Sequence, residues 1–121
     1  MKKIKILIVE PKKVPYVSEI EDSLEAMQKI VGGSIEPIYQ EMTANDHVIL
    51  IANEEGKLKN LPHNRFIRGG LQNIPMSVVR GTFFLVSSEG NNFVSLSDEM
   101  IEKYKNFYTE HIDWPIKEPN E

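Results

Sequence analysis

The fold of this chain is decided by the stretch Ile4-Lys5-Ile6-Leu7-Ile8-Val9, which is apolar at every position except Lys5 and rich in β-branched residues. A second stretch, Val48-Ile49-Leu50-Ile51-Ala52, has the same character. Such runs are typical of β-strands. Because the apolar residues are continuous and do not alternate with polar ones, we expect both faces of each strand to be buried, as at the centre of a sheet.

Further strands are predicted beside these two, and prolines indicate which of them lie at an edge. Residues 14–20 are predicted to form a hairpin with the first stretch, and residues 34–42 to form a strand before the second. Pro15 and Pro37 lack the amide hydrogen that an inner strand donates, so we expect an edge strand at Pro15 and an edge or a bulge at Pro37.

The second half of the chain is predicted to add two more strands. Asn53-Glu54-Glu55-Gly56 fits a type I turn followed by a glycine bulge, so Gly56 is expected to have a positive φ and residues 57–61 to return as a strand. Residues 62–77 are predicted to be irregular. Residues 78–86 are predicted to form one strand, in which Gly81 marks a bulge or a close backbone approach.

Two helices are predicted, each with one apolar stripe. The first has Asp22 as its N-cap and Glu25 in a capping-box position, and it ends at Gly32-Gly33. The second begins after Ser97. The stripes consist of Leu24, Met27, Ile30 and Val31 in the first helix and of Ile101, Tyr104, Phe107 and Tyr108 in the second.

Together these elements predict an α+β fold, a mainly antiparallel sheet with two helices packed against it. We expect one domain over residues 1–113, because 121 residues suit a single core, and a loose polar tail over residues 114–121. The predicted core contains Ile6, Ile8, Leu24, Met27, Ile49, Ile51, Phe83, Leu85, Ile101 and Tyr104.

Composition excludes several classes of protein. The chain has no cysteine, which rules out disulfides, thiolate metal sites and cysteine nucleophiles and suits a reducing compartment. Its apolar runs are far shorter than the roughly 20 residues of a membrane span, and no signal-peptide cleavage pattern follows Met1-Lys2-Lys3. We therefore expect a cytoplasmic protein with no membrane contact. A net charge of −4 argues against nonspecific binding to nucleic acid.

The first candidate binding segment is acidic. Glu54 and Glu55 could form an exposed binding loop or supply carboxylates to a metal. Turn chemistry alone also accounts for the segment, because Asn53 and Gly56 are the residues that such a turn requires. In that interpretation both glutamates are simply solvated.

The second candidate binding segment is His63-Asn64-Arg65, which follows Pro62 in a predicted loop. The planar guanidinium of Arg65 could hold a carboxylate or phosphate in a bidentate contact, with Asn64 beside it. The structural interpretation pairs Arg65 with a carboxylate of the chain itself, namely Glu54, Glu55 or Glu36. The functional interpretation leaves the guanidinium exposed in a concavity, free for an anionic ligand or partner.

The remaining polar clusters give no catalytic pattern. His47, His63 and His111 lack the spacing of a zinc site, and no segment matches a phosphate-binding loop or a catalytic serine motif. The lysines at positions 2, 3, 5, 12 and 13 could contact nucleic acid or an acidic partner, but lysines at a sheet edge also prevent aggregation. We predict no catalytic residue, no metal and no cofactor, and the sequence leans against an enzyme.

Several phrases of the sequence resemble one family. They are residues 24–33 (LEAMQKIVGG), 53–58 (NEEGKL), 61–65 (LPHNR), 81–86 (GTFFLV) and 95–98 (SLSD). In this order they are similar to an uncharacterised family known as a domain of unknown function, found mostly in Gram-positive bacteria and in their plasmids, conjugative elements and phages. The resemblance implies a fold and a mobile-element context, and it implies no reaction.

Three functions are consistent with these features. The first is a small non-enzymatic binding or regulatory protein of a mobile genetic element that acts through a protein partner. The second is a small-ligand or nucleotide-binding protein, which could be an enzyme, built around the loop with Asn64 and Arg65. The third is nucleic-acid binding through the N-terminal lysines. We favour the first, because the chain is small and acidic and has no catalytic constellation.

Overall fold

The computed structural model describes residues 2–38, 46–69 and 74–112 of the chain. Eight strands and two helices lie in these ranges. In chain order they are β1 (Lys3–Val9), β2 (Tyr16–Glu21), α1 (Leu24–Val31), β3 (Ile35–Ile38), β4 (Val48–Asn53), β5 (His63–Gly69), β6 (Ile74–Arg80), β7 (Phe83–Glu89), β8 (Asn92–Val94) and α2 (Asp98–Glu110).

The main sheet has the strand order β2-β1-β7-β4-β3, and β8 pairs with the far end of β7. All neighbouring strands are antiparallel. The predicted α+β class with a mainly antiparallel sheet is therefore confirmed. The two apolar stretches form the inner strands β1 and β4, whereas β2 and β3, the strands associated with Pro15 and Pro37, are at the two edges.

The two helices cover opposite faces of the main sheet. Alternate residues of a strand point to opposite faces, so each apolar stretch supplies both sides of the core. One face packs Ile4, Ile6, Ile8, Ile49, Ile51, Phe84 and Val86 against Met27 and Val31 of α1. The other packs Leu7, Val9, Val48, Leu50, Ala52, Phe83 and Leu85 against Ile101, Tyr104 and Tyr108 of α2. This arrangement explains why the two stretches are continuously apolar.

The first helix begins one residue later than predicted. Ser23 is the N-cap, because its hydroxyl accepts a hydrogen bond from the Ala26 amide at 3.1 Å. Leu24 then lies in the first turn, directly after the edge strand β2, and its side chain is 58% exposed. The prediction that Leu24 belongs to the core is wrong, because the helix meets the sheet through Met27 and Val31, one and two turns further on.

The turn after β4 also differs from the prediction. Residues 54–60 form successive turns and not a returning strand, with hydrogen bonds from the Lys59 amide to the Glu55 carbonyl and from the Leu61 amide to the Gly56 carbonyl. The expected positive φ at Gly56 is wrong, since the described glycines with positive φ are residues 32, 81 and 90. Gly56 has a steric reason instead: a Cβ atom there would lie 3.0 Å from the Arg80 carbonyl oxygen.

Residues 63–80, where an irregular segment was predicted up to residue 77, contain the hairpin β5–β6. It is a separate two-stranded sheet with two register shifts, and these interrupt the alternation that would mark a strand. The predicted strand over residues 78–86 is split at Gly81, whose φ is 82° and whose Cβ position would meet Leu61 at 2.8 Å. The close approach predicted at Gly81 is confirmed.

None of the helices within residues 2–38, 46–69 and 74–112 is long and apolar enough to cross a membrane. The predicted tail over residues 114–121 and the end of the strand predicted over residues 34–42 lie outside the described residues.

A carboxylate fastens the chain before β4 to α2. Asp46 Oδ2 accepts a hydrogen bond from the Tyr104 hydroxyl at 2.5 Å and another from the Lys103 ammonium at 2.6 Å. These donors, Lys103 foremost, hold the pKa of Asp46 below its ordinary value. Burial of the ring and the contact with Asp46 raise the pKa of Tyr104. Asp46 is therefore a charged anchor between β4 and α2.

We expect Asp46→Asn to lower the free energy of unfolding at neutral pH, because an amide cannot form the ion pair with Lys103. The lowered pKa means that the carboxylate stabilises the fold above the ordinary aspartate pKa of about 4, and that this contribution is lost as pH falls through the lowered value. Denaturant unfolding should be measured across a range of pH. The difference in the free energy of unfolding between wild type and variant should be constant near neutrality and should decrease in acid.

The control for this measurement is Asp98→Asn. The Asp98 carboxylate is 95% exposed and lies 3.7 Å from Lys5 Nζ, so its removal should change the free energy of unfolding less. A difference for Asp46→Asn that is equally large in acid and at neutrality would contradict the anchor.

Candidate functional site

Asn64, one of the predicted site residues, is buried and has all of its side-chain polar atoms engaged. Its Nδ2 donates to the Val9 carbonyl and to the Gly81 carbonyl, both at 2.8 Å. Its Oδ1 accepts a hydrogen bond from Arg65 NH1 at 2.8 Å. The amide therefore joins the start of β5 to the end of β1 and to the connection between β6 and β7.

Arg65 extends this junction to two more segments. Its side chain is 0% exposed. Nε donates to the Tyr108 carbonyl at 3.2 Å, and NH2 donates to the Lys13 carbonyl at 2.8 Å. The Tyr108 carbonyl belongs to the last turn of α2, where the helix dipole is negative and favours a cation. The buried guanidinium thus fastens the hairpin β5–β6 to α2 and to the connection between β1 and β2.

This geometry bears on the two interpretations of Arg65. The acceptors named above are carbonyl and amide oxygens from three segments, and not carboxylates of the predicted Glu54, Glu55 or Glu36. The guanidinium is also not exposed in a concavity, because it is fully buried. Asn64 and Arg65 form an internal junction, and His63 lies next to them as the first residue of β5, opposite Arg80.

A concave site lies elsewhere among the described residues, between the β3–β4 edge of the main sheet and the base of the hairpin β5–β6. It has a volume of about 410 Å³. We call it the edge pocket. Its lining consists of Glu36, Ile38, Ala52, Asn53, Glu54, Gly56, Lys57, Leu58, Val78, Val79 and Arg80.

The floor of the edge pocket follows from strand register. Glu36 is opposite Ala52 and Ile38 is opposite Leu50, so Glu36, Ile38 and Ala52 share the face of the sheet that also carries α2. Val79 of β6 packs into the same core cluster and forms the opposite wall. The lining of the pocket therefore combines apolar side chains of the sheet and the hairpin with the charged residues Glu36, Glu54, Lys57 and Arg80.

The turn after β4 closes one end of the edge pocket. Asn53 begins the turn: its Oδ1 accepts from the Glu55 amide at 2.7 Å, and its Nδ2 donates to the Val31 carbonyl at the end of α1 at 3.1 Å. Gly56 then rests on the Arg80 backbone, since a Cβ at residue 56 would be 3.0 Å from the Arg80 carbonyl oxygen. The contact places Leu58 at the rim, where its side chain is 85% exposed.

The structure separates the five predicted binding residues into two places. Glu54 lines the edge pocket, whereas the Glu55 carboxylate lies 3.8 Å from Lys59 Nζ within the turn. Asn64 and Arg65 are in the internal junction. Sequence reasoning named Glu36 only as a possible partner of Arg65. It did not assign Val79 or Arg80 to a site, because the hairpin that forms one wall of the pocket was not predicted.

The described residues contain no arrangement of side chains that could bind a metal ion. Within residues 2–38, 46–69 and 74–112, no three histidine, cysteine, aspartate or glutamate side chains are grouped so that they could hold an ion. His47 precedes β4, His63 begins β5 and His111 follows α2. These histidines are therefore next to, or part of, three different elements.

We expect Arg65→Lys to lower the free energy of unfolding by about 2–5 kcal/mol, because an ammonium cannot reproduce the planar fork and leaves buried carbonyls unsatisfied. The control is Arg80→Lys, since Arg80 is half-buried and donates to Asn60 Oδ1 at 3.1 Å at an exposed site. That variant should lose less than about 1 kcal/mol in denaturant unfolding. Equal losses of unfolding free energy in the two variants would contradict the role of Arg65 in the junction.

Comparison with known proteins identifies the family to which the chain belongs. No curated protein and no solved structure matches the chain significantly. One family model matches residues 4–109, which run from β1 into the last turn of α2. The chain therefore belongs to the family described as Domain of unknown function (DUF3846).

Proposed function

We propose that this protein is a small non-enzymatic binding protein that acts by contact with a protein partner at the edge pocket. The observation that carries the proposal is the combination of an open pocket of about 410 Å³, lined by both apolar and charged residues, with a leucine at its rim, Leu58, that is 85% exposed. Large apolar side chains beside a pocket are typical of the centre of a protein interface.

The exposure of Leu58 is the strongest support for an apolar surface that a partner would bury. Leu58 is the most exposed of the large apolar side chains among the described residues, with Val14, Tyr16, Val17 and Leu24 between 43% and 58%. A leucine gains about 1.5–3 kcal/mol on full burial, which a partner would recover by covering it. The Gly56 contact with Arg80 fixes the turn that presents this side chain.

A small-ligand site at Asn64 and Arg65 has less support. Both side chains are buried, and their polar atoms make hydrogen bonds to Val9, Gly81, Lys13 and Tyr108. A ligand would have to compete with these bonds. Neither residue is in the lining of the edge pocket.

Nucleic-acid binding through the N-terminal lysines also has less support. Lys3 is opposite Glu21 and Lys5 is opposite Glu19 in the β1–β2 register, so each lysine has a carboxylate beside it. Lys13 Nζ lies 3.6 Å from Glu10. A surface with neighbouring charges of both signs attracts phosphates weakly.

The mobile-element context and a cytoplasmic location belong to the same proposal. The context rests on the family resemblance, and the location rests on the absence of cysteine from the sequence. An acidic balance of 18 carboxylates against 14 lysines and arginines also favours a protein partner over a polyanion.

The test compares two exposed leucines. Wild-type protein, Leu58→Glu and Leu24→Glu would each be used to isolate partners from cells that express the gene naturally, with quantitative mass spectrometry of the bound proteins. We expect one partner to be retained by wild type and by Leu24→Glu and to be lost with Leu58→Glu, because a charge at the rim prevents burial of the contact.

Denaturant unfolding of the three proteins provides the control for folding, since both leucines are exposed and neither variant should lose more than about 1 kcal/mol. The proposal would be refuted if every specifically bound protein were retained equally by the two variants.

A further inference from the structure

Two acidic residues, Glu36 of β3 and Glu54 directly after β4, line the edge pocket. Glu36 is opposite Ala52, and the Glu54 amide continues the ladder by donating to the Ser34 carbonyl at 2.9 Å. Glu36 and Glu54 are thus diagonal neighbours across two strands, a distance at which side chains reach each other. The small side chain of Ala52 lies between them and leaves the space that becomes the pocket.

Within the part of the chain that the structure describes, neither carboxylate forms an ion pair. Among residues 2–38, 46–69 and 74–112, the lysine ion pairs are Lys5 with Asp98, Lys13 with Glu10, Lys59 with Glu55 and Lys103 with Asp46. Glu36 and Glu54 take part in none of these. The adjacent Glu55 does form an ion pair, with Lys59. The lack of an ion pair at Glu54 is therefore not shared by every glutamate of the turn.

The two cationic residues of the same pocket, Arg80 and Lys57, do not pair with these carboxylates among the described residues. Arg80 NH1 donates to Asn60 Oδ1 at 3.1 Å and to the Leu61 carbonyl at 3.5 Å, which directs its guanidinium toward the turn. Lys57 is exposed on the turn, and no ion pair joins it to Glu36 or Glu54 within the described part of the chain. Glu36 and Glu54 therefore remain without an ion pair among the described residues, on the β3–β4 side of the pocket.

We infer that the edge pocket receives a lysine or arginine side chain of the partner, next to an apolar residue that covers Leu58. This inference rests on the proposed function. The long aliphatic stem of a basic side chain suits the apolar lining residues Ile38, Ala52, Val78 and Val79, and its cationic head suits the two carboxylates. An acidic side chain in the same place would meet both glutamates and be repelled.

Lys57 makes it possible to distinguish a bound cation from a purely apolar contact. A cation bound between Glu36 and Glu54 is repelled by the ammonium of Lys57 at the same mouth. Removal of that charge should strengthen binding, whereas removal of either carboxylate should weaken it. A partner that contributed only apolar contacts would respond to neither change.

The experiment selects binders without knowledge of the partner. Phage-displayed random peptides of about a dozen residues would be selected on immobilised wild-type protein, and peptides that also bind Leu58→Glu would be discarded. We expect the remaining peptides to be enriched in lysine or arginine beside an apolar residue. The strongest binder would then be labelled and measured by fluorescence anisotropy.

Single variants locate the charge. We expect Glu36→Gln and Glu54→Gln each to weaken the labelled peptide about three- to tenfold, and Lys57→Gln to strengthen it by about twofold, as for charge pairs at a partly desolvated interface. Glu55→Gln is the matched control, because Glu55 pairs with Lys59 outside the pocket and should change affinity less than twofold. Replacement of the basic residue of the peptide by norleucine should remove the effect of Glu54→Gln.

Three results would overturn the inference: selected peptides without basic enrichment, equal effects of Glu54→Gln and Glu55→Gln, or weaker binding by Lys57→Gln. Leu58-dependent peptides without a basic residue would overturn it while leaving a partner at the edge pocket intact. Retention of the native partner by Leu58→Glu would instead refute the proposed function.

Discussion

The structure depends on one buried cation, the guanidinium of Arg65, and on the amide of Asn64 that shares its hydrogen bonds. A charge removed from water is costly unless its donors are satisfied, and here carbonyl oxygens of Lys13 and Tyr108 and the Asn64 amide are among the acceptors of those donors. The acceptors come from separate parts of the chain. The charge is therefore stable in the interior when β1, α2 and the hairpin β5–β6 are assembled together.

The edge pocket is a consequence of this junction. Hydrogen bonds of Asn64 to Val9 and Gly81 fix the base of the hairpin on the face of the main sheet that carries α2. Val79 is buried there, while the β3–β4 edge beyond it is left as the floor of an open pocket. The most buried polar residues thus support the site without lining it.

Sequence patterns were sufficient for the inner strands β1 and β4, because Ile4–Val9 and 48–52 have apolar residues at both strand faces. They also located both helices, although the first begins one residue later than predicted. They failed at the hairpin β5–β6, whose strands have register shifts and are positioned by Asn64 and Arg65. The importance of Arg65 was predicted, but its partners could not be, since Lys13 and Tyr108 contribute backbone oxygens that any residue carries. The edge pocket was missed for the same reason, because one of its walls is that hairpin.

Native-state hydrogen exchange of the wild-type protein tests the central role of the junction most directly. The amide of Val79, opposite Arg65 in the hairpin, would be compared with that of Leu50 in the inner strand β4. If Arg65 joins the hairpin to the main sheet, both amides should exchange through the same global opening and respond equally to denaturant. Exchange of Val79 through a separate opening of much lower free energy, with Leu50 still protected, would contradict the account.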